Sequence, residues 1–154
     1  MLWKKSSPEA CEKIKEKLSS VFADVQCMTD APVKQYMIKW LSAFAPDMTY
    51  AQAKSFCLPR LLYKNHLWNA FAFEKAPCLA GEEADDAAKD GFLGDCFVLA
   101  EEENLIFSVK NETPAIPEKI KDFKSIAVFT KDFSRTYIYT GEDGFGPYFK
   151  TAEE

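Results

Sequence analysis

The order of the hydrophobic periods constrains this chain more than any other feature. From Ser7 to Lys89 apolar residues recur at helical spacing. From Cys96 onward they fall into short runs of strand length. Ser7-Pro8-Glu9 reads as an N-cap, a proline at the first helical position and an acid in the first turn. Ile14, Leu18, Val21 and Phe22 then form one stripe. Val33, Tyr36, Met37, Trp40, Leu41 and Phe44 make a second helix, which Pro46 stops. Thr49 to Gln52 is a capping-box pattern. Arg60 to Phe73 is apolar nearly all round, as a central buried helix would be. Ala80 to Lys89 reads as a small acidic helix with Ala84, Ala87 and Ala88 inward.

Four strands follow: Cys96–Leu99, Leu105–Val109, Ile126–Phe129 and Thr136–Tyr139. Polar turns at Glu101–Asn104 and Lys131–Ser134 join them in pairs, and a short helix is expected around Pro117–Lys121. Helices first and antiparallel strands later predict an α+β fold, with the N-terminal helices packed on one face of a C-terminal sheet of about four strands. The 154 residues suit a single domain, 1–154, and no linker or repeat divides them. With 47% hydrophobic residues, including 13 Phe, the chain can fill a core.

Charge and composition narrow the partners. The formal net charge is −5, from 19 basic and 24 acidic residues. That argues against nucleic acid or an anionic membrane and leaves a basic protein as the partner to expect. No apolar run is long enough to span a bilayer. The basic start Lys4-Lys5 is not followed by the apolar stretch of a signal peptide, so a cytoplasmic protein is expected. The five cysteines are odd in number and at least 16 residues apart, neither a disulfide framework nor a zinc pattern. No cofactor loop is present, and no metal or cofactor is expected.

Three segments carry a resemblance. They are Asn65-His66-Leu67-Trp68-Asn69 through Glu74, Cys78-Leu79-Ala80-Gly81-Glu82-Glu83-Ala84, and Lys131 to Tyr137 running on to Gly146-Pro147-Tyr148-Phe149. Together, over about 50–150, they resemble a family of small proteins from Bacillus-like Gram-positive bacteria classed as a domain of unknown function. The family pattern has Leu-Trp-His where this chain has Leu67-Trp68-Asn69, and Thr-His-Glu where it has Thr140-Gly141-Glu142. The Gly-Pro-Tyr-Phe ending is kept. The resemblance implies no activity, but it draws attention to positions 68–73 and 140–149.

His66 is the only histidine and hence the one imidazole base; with Glu142 it is the weak catalytic pair this sequence offers, with Arg135 or Cys57 as helpers. Against this stands a histidine that merely bonds a backbone carbonyl. Glu82, Glu83, Asp85 and Asp86 could hold a cation, but first-turn acids suit a helix dipole anyway. Glu142 and Asp143 could accept hydrogen bonds from turn amides. Trp68, Tyr137, Tyr139, Phe145 and Tyr148 could line a binding surface or fill the core. The preferred expectation is a non-enzymatic protein-binding or regulatory module, of immunity type, acting as monomer or homodimer. The alternative is a small hydrolase or small-molecule-binding protein, with its site between the 60–73 helix and the 141–149 loop.

Overall fold

The computed structural model describes residues 8–28, 33–45, 78–89, 94–100, 105–112, 120, 123, 126–139 and 147–152. Its elements run α1 (Pro8–Ser19), β1 (Ala23–Cys27), α2 (Val33–Phe44), β2 (Leu79–Ala80), α3 (Glu82–Lys89), β3 (Gly94–Ala100), β4 (Leu105–Asn111), β5 (Ile126–Thr130), β6 (Arg135–Tyr139) and β7 (Tyr148–Thr151). Among the described residues the strands form one sheet of seven, in the order β1-β4-β3-β5-β6-β7-β2, with every pairing antiparallel. The α+β class stands, but the expected sheet of about four strands does not. The four strands read from sequence are its centre. β1 shows a single buried position, Val25; β2 is two residues long; β7 hides in the aromatic tail. None offers enough alternation to be read alone.

The sheet is covered on both sides, which corrects the expectation of helices on one face. The cross-strand register makes the point. Phe107, Val98, Val128, Tyr137 and Phe149 stand opposite one another in a row across five strands. All five belong to a core that includes Leu18 and Phe22, at and just past the end of α1, and Ala84 and Ala88 of α3. The next row, Ile106, Leu99, Ala127, Ile138 and Tyr148, points the other way, since successive strand residues alternate in face. It packs with Met37, Trp40, Leu41 and Phe44 of α2.

One polar contact pins α2. Trp40 is fully buried, and its Nε1–H donates to the Thr136 hydroxyl at 2.8 Å. Thr136 in turn donates to the Val128 carbonyl at 3.3 Å. A threonine with 0% exposure in mid-strand is thereby satisfied. On the opposite face α3 starts just after Gly81, which sits at φ 65 and whose carbonyl accepts the Asp85 N–H at 3.1 Å. Acids fill the first turn of α3, as its dipole favours.

Cys11 and Cys27 form a disulfide that ties α1 to β1, which corrects the expectation of no disulfide framework; Cys78 is a free thiol. The pattern gave no hint because two of five well-spaced cysteines carry no signature. No described helix is long and apolar enough to cross a membrane. The segments read as helices at 49–57 and 60–73 lie outside the described residues, and so does nearly all of the one expected around 117–121.

Two stability predictions follow from this packing. Trp40→Ala should destabilise the fold by about 3–5 kcal/mol, the range for losing a buried indole. Thr136→Val, which orphans the indole N–H, should cost about 1–3 kcal/mol. Chemical denaturation measures both, and an effect below about 0.5 kcal/mol from Trp40→Ala would contradict this packing. For the cross-link, non-reducing digestion should recover the peptides of Cys11 and Cys27 joined. Its closed loop spans a separation of 16 residues, for which loop entropy predicts a loss of about 3 kcal/mol on reduction.

Candidate protein-binding site

The structure distributes the aromatic residues singled out above over two faces rather than one surface. Tyr137 has 0% exposure and lies in the core under α3. Its hydroxyl donates to Asp85 Oδ1 at 2.6 Å, and burial together with that carboxylate pushes its pKa well up. Tyr139, half-buried, shares that face. Tyr148 is buried on the α2 face. In α3, Glu82, Glu83 and Asp86 are exposed, Asp86 pairs with Lys89 at 3.5 Å, and Asp85 serves Tyr137. Arg135 is exposed at the start of β6. His66, Trp68, Glu142, Asp143 and Phe145 lie outside the described residues, as does Cys57.

A different set of rings does converge. Tyr36 of α2 meets Phe97 of β3 edge-to-face, with ring centroids 5.1 Å apart. Phe97 also lies 5.6 Å from Phe129 and 6.1 Å from Phe133, and Phe129 lies 5.3 Å from Phe133. Phe129 is the buried floor, with 1% exposure, while Tyr36, Phe97 and Phe133 are each partly open to solvent. Two ammonium groups of the chain sit over these rings. Lys131 Nζ is 5.5 Å from the Phe97 centroid and Lys39 Nζ 5.9 Å from that of Tyr36. Both distances suit cation–π attraction.

Phe133 reaches this cluster from an uncommon backbone. Its φ is 57°, a left-handed conformation that a bulky side chain rarely adopts. The β5–β6 turn holds it there. The Phe133 N–H donates to the Thr130 carbonyl at 2.9 Å. The Ser134 N–H donates to Thr130 Oγ1 and to Asp132 Oδ1, each at 3.0 Å, and the Ser134 hydroxyl donates to Asp132 Oδ1 at 2.6 Å. Hydrogen bonds from Ser134, and next from Thr130, hold the Asp132 carboxyl below the usual range, so it stays charged beside the rings. Exposed Asp95, two residues before Phe97, adds a second carboxylate near the cluster.

Lys131 to Ser134 read from sequence as a plain turn, and Phe97 as a strand interior. A phenylalanine where turns usually place Gly, Asn or Asp was the available signal.

A family model described as "Domain of unknown function (DUF4275)" matches residues 13–149. The chain belongs to that family. The match takes in the second half of α1, all of α2 and the sheet up to the first residues of β7, so it begins well before the segments that carried the resemblance. No curated protein and no solved structure matches the chain. In this member of the family the aromatic cluster joins α2, β3 and the β5–β6 turn, all within the matched residues.

The backbone of Phe133 can be tested apart from its ring. Phe133→Ala and Phe133→Gly remove the same contacts, but only glycine is at ease at this φ. The glycine variant should therefore be the more stable by about 1 kcal/mol, the reverse of the order found in ordinary strands and helices. Equal stabilities in urea titration would rule out the left-handed turn. Asp132 carries a pH signature. Its folded pKa is depressed, so its contribution is full above the unfolded aspartate value of about 3.9 and is lost as pH falls through the folded value. Asp132→Ala should lower Tm at neutral pH, and the difference from wild type should shrink as acid is added.

Proposed function

We propose that this protein is a non-enzymatic binding module, regulatory or of immunity type, that recognises a basic segment of a partner protein through the Tyr36–Phe97–Phe133 cluster. The observation that carries this reading is that two of the three open rings, Tyr36 and Phe97, are already capped by ammonium groups from the chain itself. A partner arginine can take the place of Lys131 over Phe97, and a guanidinium stacks on a ring better than an ammonium does. Asp132 and Asp95 offer it carboxylates, and the net charge of −5 favours approach of a basic surface. A strained backbone that holds an aromatic ring half in solvent contributes little to stability. Such conformations gather at functional sites, and aromatic residues dominate the energetics of protein contacts.

The setting we propose is the bacterial cytoplasm, where a free thiol such as Cys78 persists. Finding the Cys11–Cys27 bond intact in protein taken from cells under thiol-trapping conditions would instead put it in an oxidising compartment.

Affinity capture from the producing cells, read by mass spectrometry, tests the function. Wild-type protein should retain a basic protein. Phe97→Ala should weaken that binding about tenfold or more, the mark of a hot spot. Leu79→Ala, which trims an exposed apolar residue at the β2 edge, should leave it unchanged. Capture that ignores Phe97, or that selects an acidic protein, would refute the reading.

A further inference from the structure

Lys150 is the one lysine or arginine among the buried residues described, with 8% exposure. It lies on β7, directly opposite Thr136 of β6, and so on the α2 face of the sheet with Tyr148. On its other side β2 pairs Leu79 with Phe149 and Ala80 with Tyr148. One step further along the same register places Cys78, half-buried, beside Lys150. The field of the lysine acts on that thiol: burial raises the Cys78 pKa, and the charge of Lys150 lowers it.

A lysine with so little surface in water must carry its ammonium out along a buried stem or give it a counter-charge or acceptors. Among the described residues no carboxylate pairs with it. The nearest polar group in register, the Thr136 hydroxyl, already accepts from Trp40 and donates to Val128. Among the described residues, the core cluster on this face is apolar and includes Trp40, Ile138, Tyr148 and Ala152. We propose that Lys150, with Cys78 beside it, binds a small oxyanion: the carboxylate or phosphate group of a small ligand. The ammonium supplies the charge, and the thiol S–H supplies a second, weaker donor. This site lies at the β7–β2 edge, and it stands or falls independently of the aromatic cluster.

The full chain can be tested with inorganic phosphate and with acetate in separate arms, each against chloride at equal ionic strength. Two quantities are read: Tm, and the rate at which iodoacetamide labels Cys78, followed on its own peptide by mass spectrometry. An anion seated on Lys150 offsets the field that favours the Cys78 thiolate. Labelling should therefore slow while Tm rises. The arm that responds tells a phosphoryl from a carboxylate ligand. Lys150→Met should weaken the response about tenfold or more, the size of one charge-assisted hydrogen bond, whereas Lys150→Arg should retain it. If neither anion differs from chloride on the wild-type protein, Lys150 simply extends its ammonium to water along a buried stem, and the proposal is overturned. A response that survives intact in Lys150→Met would overturn it equally.

Discussion

The fold depends on a sheet that is dry on both sides. Once α2 lies on one face and α1 with α3 on the other, most residues at the centre of the middle strands must suit an apolar interior. β5 meets that demand with Ile126, Ala127, Val128 and Phe129, all buried. Any polar side chain that enters must bring its own partners. Thr136 does so by standing between Trp40 and Val128, and Tyr137 does so by reaching Asp85. The two hydroxyls sit on adjacent residues and serve opposite faces, so β6 fastens a helix to each side of the sheet.

The same constraint explains what could be read from the sequence. α1, α2 and α3 were legible because each shows one apolar stripe with start signals at its head. The four central strands were legible as apolar runs. Their two-sided burial was legible too, since Cys96-Phe-Val-Leu99 and Ile126-Ala-Val-Phe129 are continuous rather than alternating, which is the mark of a strand with no wet face. An expectation of helices on one face only misses that mark. The edge strands could not be read, because pairing rather than pattern creates them. β2 is a strand only where Leu79 and Ala80 meet Phe149 and Tyr148.

The aromatic cluster was less legible than the fold. Tyr36 was correctly placed on a helical stripe, and the Lys131–Ser134 turn was correctly placed between strands. Nothing in either segment says that they meet. They meet because Phe97 stands on β3 next to β5, bringing the turn after β5 under the start of α2. Tyr137 and Tyr148, more prominent in the sequence, were drawn into the two cores by the alternation of β6 and β7. The number of aromatics in a segment therefore says little about exposure once both faces of the sheet carry helices.

The sheet order has a consequence for how the protein is made. β1 and β2 occupy opposite edges, although only the stretch between Cys27 and Leu79 separates them in the chain. Seven strands span roughly 30 Å, so that stretch must bridge the full width of a surface that does not yet exist when it leaves the ribosome. The early helices have nothing to rest on until residues 94–139 have been added. Acquisition of the native state is thus a late, long-range event of the slow kind. Until then the apolar side chains of α2, the fully buried indole among them, are left for chaperones to shield.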